Sequence, residues 1–150
     1  MKPKSSLIFL ILITLASSPQ FLLAAFQEDY STAYKAFENA KSDADKRVVA
    51  DNFIELSKRS DAGPLKGNTL YWAAECWYST KEYMKALSGF ERVLLLPGSN
   101  KEEDARFKVA YCYMRLGWND AAKWELQRFL KDFPSSRHVN RIQNALKELP

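Results

Sequence analysis

Apolar residues in the middle of the chain recur with a helical period. Leu70, Ala73, Ala74 and Trp77 stand at i, i+3, i+4 and i+7, and after a polar Ser-Thr-Lys-Glu interruption Tyr83, Ala86, Leu87, Phe90 and Leu94 resume the rhythm. The pattern predicts two amphipathic helices joined by a tight turn. It is then written again 36 residues later. That offset pairs Cys76 with Cys112, Tyr71 with Phe107, Ala74 with Ala110, Trp77 with Tyr113, Ala86 with Ala122, Phe90 with Leu126 and Val93 with Phe129. Stepping back by the same amount gives a weaker copy, with Ala50, Ile54 and Glu55 under Ala86, Phe90 and Glu91, and Tyr34 under Leu70.

Local chemistry supplies boundaries. Thr80 and Asn100 are candidate helix N-caps, Asn100 with Glu103 fits a capping box, and Gly63-Pro64, Pro97-Gly98 and Phe133-Pro134 are stops. A last amphipathic helix is expected from Val139, Ile142, Ala145, Leu146 and Leu149. Ala74, Ala86, Ala110 and Ala122 let paired helices approach, and Trp77, Phe90, Tyr113, Leu126 and Phe129 fill the space around them.

The N-terminus has a different composition. Lys2 and Lys4 precede an apolar run over residues 7–16, a Ser-Ser-Pro-Gln break, and small residues at Ala24 and Ala25. These features predict a secretory signal peptide over residues 1–25, cut after Ala25. A retained membrane helix would have to accommodate Pro19 and Gln20 inside its span. No cysteine lies near the expected cut for lipid attachment.

Charge and composition narrow the function. Of 22 Lys and Arg against 18 Asp and Glu, removing Lys2 and Lys4 leaves 20 against 18 over residues 26–150, with the signs interleaved. No basic stripe exists to drive nucleic-acid binding by counterion release. The single histidine, His138, reads as a solvated surface residue and cannot assemble a triad or a histidine-rich metal site. Glu102, Glu103 and Asp104 complement the exposed amides of a first helical turn. No glycine-rich phosphate loop occurs. Neither catalytic residues nor a metal or cofactor is expected. Cys76 and Cys112, at equivalent places on successive helices, are too far apart to bridge easily and read as buried packing thiols.

A helical pair repeated at this period, with small and large residues at fixed offsets, resembles the tetratricopeptide repeat, whose unit is about 34 residues. The resemblance implies an all-α solenoid of three helix-turn-helix pairs over about 30–62, 66–98 and 102–134, closed by a capping helix over 136–148. The segments TLYWAAECWY, YMKALSGFERV, ARFKVAYCYMRLG and KWELQRFLKDFPSS resemble the C-terminal repeats of the periplasmic Tol-Pal system cell-division coordinator family. The repeats of an outer-membrane assembly lipoprotein are more distantly similar, and that family would require a lipidated cysteine. The coordinator resemblance implies a periplasmic adaptor without cofactor, touching the membrane only through its signal segment during export. Its implied partners are proteins or peptides, among them Tol-Pal and cell-wall synthesis components.

Two features depart from that family. No stretch between the signal segment and residues 30–41 holds the several heptads of a coiled coil. Trp118 stands one place earlier than Tyr83 does in the preceding copy, which predicts a locally rearranged turn. In repeats of this type the first helices line a binding groove. By position that groove comprises Asn68, Tyr71, Glu75 and Tyr78 from one copy and Asp104, Phe107, Tyr111 and Met114 from the next. Tyr71, Phe107 and Tyr111 could equally pack against neighbouring repeats or the last helix. A different envelope assembly or secretion complex would be reached through the same groove, and exposed Trp72 and Trp124 would instead suit a peptidoglycan-fragment site.

Overall fold

A computed structural model describes residues 19–150. The described residues form helices α1 (Pro19–Asn39), α2 (Asp43–Lys58), α3 (Lys66–Ser79), α4 (Tyr83–Leu94), α5 (Glu102–Leu116), α6 (Asn119–Asp132) and α7 (Val139–Glu148), with a 3-10 turn at Ser60–Leu65 between α2 and α3. No strand occurs among them. Each helix packs chiefly against the next in sequence, so the chain stacks as a solenoid of three pairs and a closing helix.

Three apolar clusters explain why the layers hold together. The first joins Phe26 and Ala33 of α1, Val49, Ala50 and Phe53 of α2, and Ala73 and Cys76 of α3. The second joins Leu70 and Ala74 of α3, Ala86, Leu87 and Phe90 of α4, and Val109 and Cys112 of α5. The third joins Phe107 and Ala110 of α5, Leu126 and Phe129 of α6, and Ile142 and Ala145 of α7. Every cluster therefore draws on one pair and the first helix of the next layer. A single pair cannot shield its own apolar side, which is the physical basis of repeat stacking. Phe26, Phe53, Phe90 and Phe129 are fully buried, each contributing about 2–3 kcal/mol through area removed from water.

The two cysteines occupy equivalent places. Cys76 shares its cluster with Val49, Ala50 and Phe53 of α2, and Cys112 shares its cluster with Ala86, Leu87 and Phe90 of α4, the second helix of the preceding pair in each case. Both are free and buried.

Several sequence expectations are corrected. Thr80 does not start a helix: its hydroxyl donates to the Trp77 carbonyl at 3.1 Å at the end of α3, and Glu82 stands at the N-cap of α4 without a side-chain cap bond. Asn100 is not a cap either, because Lys101 occupies the N-cap of α5 and its amide donates to Ser99 Oγ at 3.2 Å. A reciprocal capping box exists elsewhere. In α2 the Asp45 amide donates to Ser42 Oγ (3.0 Å) and the Ser42 amide to Asp45 Oδ2 (3.1 Å).

The Trp118 turn is not rearranged. Lys81 in the second pair and Gly117 in the third both adopt left-handed backbone, at φ 63° and 75°. The following amides, of Glu82 and Trp118, donate to Trp77 O and Tyr113 O at 2.8 and 2.9 Å, so the two turns share one geometry. The first pair differs more than its sequence suggests. Second helices begin at residues 43, 83 and 119, so the step is 36 between the later pairs and 40 between the earlier ones. The closing helix begins at Val139, three residues later than expected, because the chain turns through Ser136 and His138 first.

Candidate functional site

First helices α3 and α5 lie side by side, and the lateral contact is polar as well as apolar. Lys108 of α5 places its Nζ 2.7 and 2.8 Å from the two carboxylate oxygens of Glu75 on α3. It also sits 4.7 Å from the centre of the Tyr78 ring. Burial raises the Glu75 carboxyl above the usual carboxylate range, and Lys108 opposes that rise. The pair is mostly enclosed and fixes the register of α5 against α3.

At the other end of α5, three basic side chains gather on Asp104. Arg137 Nη2 lies at 2.6 Å, His138 Nε2 at 3.1 Å and Lys101 Nζ at 3.8 Å. Burial, the largest single influence, raises its carboxyl, but the hydrogen bonds with His138 and Arg137 and the charges of Arg137 and Lys101 together outweigh it and hold the group below the ordinary range. His138 is accordingly not a solvated surface residue. It is 8% exposed, and its ring stacks on Phe107 at 4.0 Å with the planes 14° apart. The apolar spacing of the last helix pointed outside this turn, which is why the sequence missed it.

The eight expected groove residues thus divide. Tyr71 and Phe107 are buried as packing residues. Phe107 lies beneath His138, and Tyr71 packs against Trp72 and Phe90. Glu75 and Asp104 are committed to ion pairs. Asn68, Tyr78, Tyr111 and Met114 stay partly open to solvent. The Asn68 side-chain oxygen is enclosed without a hydrogen-bond donor among the described residues. Tyr111 packs tilted against Phe107, ring centres 4.4 Å apart, and keeps part of its surface open to solvent.

The closing helix adds to this face in a way the sequence reading did not include. Arg141, Asn144 and Glu148 of α7 stand across from Tyr111, Met114 and Arg115 of α5, and the space between them is a cleft of about 390 Å³. Their i, i+3, i+7 spacing on the polar side of α7 was the available signal. The two tryptophans that exposure would suit to sugar stacking also divide. Trp72 is half-buried, donates Nε1–H to Tyr30 at 2.9 Å and packs against Tyr34 and Phe37, whereas Trp124 is 58% exposed.

Burial pushes both the Cys76 and Cys112 thiols up to about 12, leaving little thiolate at neutral pH. The described residues include no group of three or more metal-ligating side chains. No helix among them is long and apolar enough to cross a membrane.

A stack of helical pairs sharing their cores, with first helices lining one face, is an all-α solenoid consistent with the tetratricopeptide-repeat arrangement, a class whose members mediate protein–protein contacts and generally serve as scaffolds. The comparison with protein families agrees where the repeat is most regular. Residues 104–136, which take in α5 from its third residue, α6 and the following turn, match the family described as tetratricopeptide repeat. No curated protein matches the sequence.

Proposed function

We propose that the chain is an exported periplasmic adaptor of the cell envelope that coordinates Tol-Pal outer-membrane constriction with peptidoglycan synthesis at division. The observation that carries the binding role is the strip formed by Tyr78, Tyr111 and Met114. These side chains remain accessible on neighbouring first helices while the residues around them are locked into cores and ion pairs. Aromatic and Met side chains present large contact area there, and Tyr loses little rotamer freedom on binding. Asn68, Tyr71, Glu75, Asp104 and Phe107 shape and support that strip.

Export is supported by the composition of residues 1–25 and by where the core begins. Phe21, Leu22 and Leu23 are 55%, 42% and 40% exposed, whereas Phe26 is fully buried between α1 and α2. Cutting after Ala25 removes exposed apolar surface and keeps the first core residue. The specific assignment to division rests on the resemblance of the repeat wording to the coordinator family. Another envelope assembly would use the same strip. The peptidoglycan-fragment reading loses Trp72, whose indole is committed within the fold.

The test is photo-crosslinking from Tyr78 in intact envelopes with identification of the products. Tol-Pal or cell-wall synthase components should be captured, and the Tyr78→Ala/Tyr111→Ala variant should lose capture while keeping its helical circular dichroism. Unchanged capture by that variant would move the binding face elsewhere, and products from a different envelope system would replace the division assignment.

A further inference from the structure

Charges on the first-helix face are mostly neutralised from within. Glu75 is matched by Lys108, and Asp104 by Arg137 and Lys101. The cleft between α5 and α7 breaks this rule. Arg115 and Arg141 both line it, and neither is ion-paired with a carboxylate among the described residues, unlike Arg106, Arg128 and Arg137 in the same layers. Arg115 donates from Nε to the Tyr78 hydroxyl at 3.4 Å. Arg141 lies over two rings, its guanidinium carbon 5.0 Å from the centre of Phe107 and 5.6 Å from that of Tyr111.

Stacking holds a guanidinium by its face and leaves its N–H edges free, the arrangement suited to a bidentate carboxylate. The remaining lining is the Tyr111 ring, one amide donor, Asn144, two apolar residues, Ala145 and the adaptable Met114, and one acid, Glu148. Two guanidiniums against one carboxylate leave the cleft net positive, in a chain whose residues 26–150 are otherwise close to balance.

We infer that this cleft receives a carboxylate from an acidic, extended segment of the partner protein, with a neighbouring apolar side chain of that segment set on Met114. The inference rests on the protein-binding reading and adds the chemistry of the ligand. Arg115 and Arg141 bind the carboxylate, Asn144 supplies a further donor, and Glu148 opposes it.

The experiment is fluorescence anisotropy of the purified chain with a labelled Asp-Glu-Leu-Phe peptide, its Asn-Gln-Leu-Phe counterpart and a Lys-Lys-Leu-Phe control. The acidic peptide should bind at least tenfold more tightly than either other, with affinity falling as salt rises. Arg115→Gln and Arg141→Gln should each weaken it by about tenfold, the fold-change that corresponds to one lost charge-assisted contact. Glu148→Gln should tighten it by about threefold. Because Arg141 also packs on α5, Arg115→Gln is the variant that keeps the test clear of a loosened α7. Equal binding of acidic and neutral peptides, no acidic-peptide binding at all, or full affinity in Arg115→Gln overturns the inference while leaving the crosslinking test of the adaptor role intact. Acidic-peptide binding that depends on both arginines supports it even if the division partners prove wrong.

Discussion

Gly89 sits inside α4, where helix propensity and packing make opposite demands. Replacing a helix-interior glycine by alanine is worth about 1 kcal/mol from backbone entropy alone. A Cβ at Gly89, however, would lie 2.8 Å from Ala74 Cβ, 3.2 Å from the Trp77 ring and 3.4 Å from Ala74 Cα. The first and last of these neighbours belong to the body of α3, so relief requires the two helices to separate. Overpacking of this kind costs about 1–3 kcal/mol. Packing therefore wins, and Gly89→Ala should destabilise by about 1 kcal/mol, lowering Tm by about 2–4 °C in a chain of this size.

Thermal and urea unfolding followed by circular dichroism measure this. Ser88→Ala, one residue away on the exposed side of α4, serves as the propensity control and should be neutral or slightly stabilising. Moving the methyl across the interface in Ala74→Gly/Gly89→Ala should lose less stability than the two single changes added together, by about 1 kcal/mol. A raised Tm for Gly89→Ala, or strict additivity in the double variant, would falsify the close-approach argument.

Other consequences follow from the turns, the thiols and the ion pairs. Lys81 holds φ 63° where the next pair has Gly117, so Lys81→Gly should stabilise by about 0.5 kcal/mol, left-handed relief exceeding the added unfolded-state entropy, whereas Gly117→Ala should destabilise by about 1 kcal/mol; both are read from urea midpoints. With their pKa values raised from 9.0 to about 12, Cys76 and Cys112 should react with iodoacetamide at pH 8 about a thousandfold more slowly than unfolded thiols, and fast native-state labelling would contradict their burial. Hydrogen bonds from Lys85 and Arg47 hold Glu82 down to about 2, so its contribution is present above its unfolded value near 4.5 and lost as pH falls toward 2. Since Lys85 and Arg47 are largely solvated, Glu82→Gln should cost only about 0.5 kcal/mol at pH 7, and the difference from wild type should vanish at pH 2. Lys108→Met should destabilise by about 2–3 kcal/mol by leaving the enclosed Glu75 carboxylate alone, and adding Glu75→Gln should recover most of the loss in the same unfolding assay.

The sequence by itself determined the architecture from Lys66 onward, because a helical period and a 36-residue repeat both follow from which side chains must leave water. Leu70, Ala74, Ala86, Phe90 and their counterparts lie on one face of each helix, and stacking the pairs buries them together. Turn chemistry was less legible. Thr80, Asn100 and Trp118 carried the right residue types for caps or irregularity, yet the backbone followed the shared left-handed turn at Lys81 and Gly117. Tertiary structure alone decided what the first-helix face offers a partner. Whether Phe107 faces solvent depends on His138, 31 residues away, folding back onto it, and whether Arg115 lacks a counter-ion depends on where α7 comes to rest. Periodicity records that a side chain has a wet and a dry side. Which charges meet across the wet side is set by distances between segments that no local pattern contains.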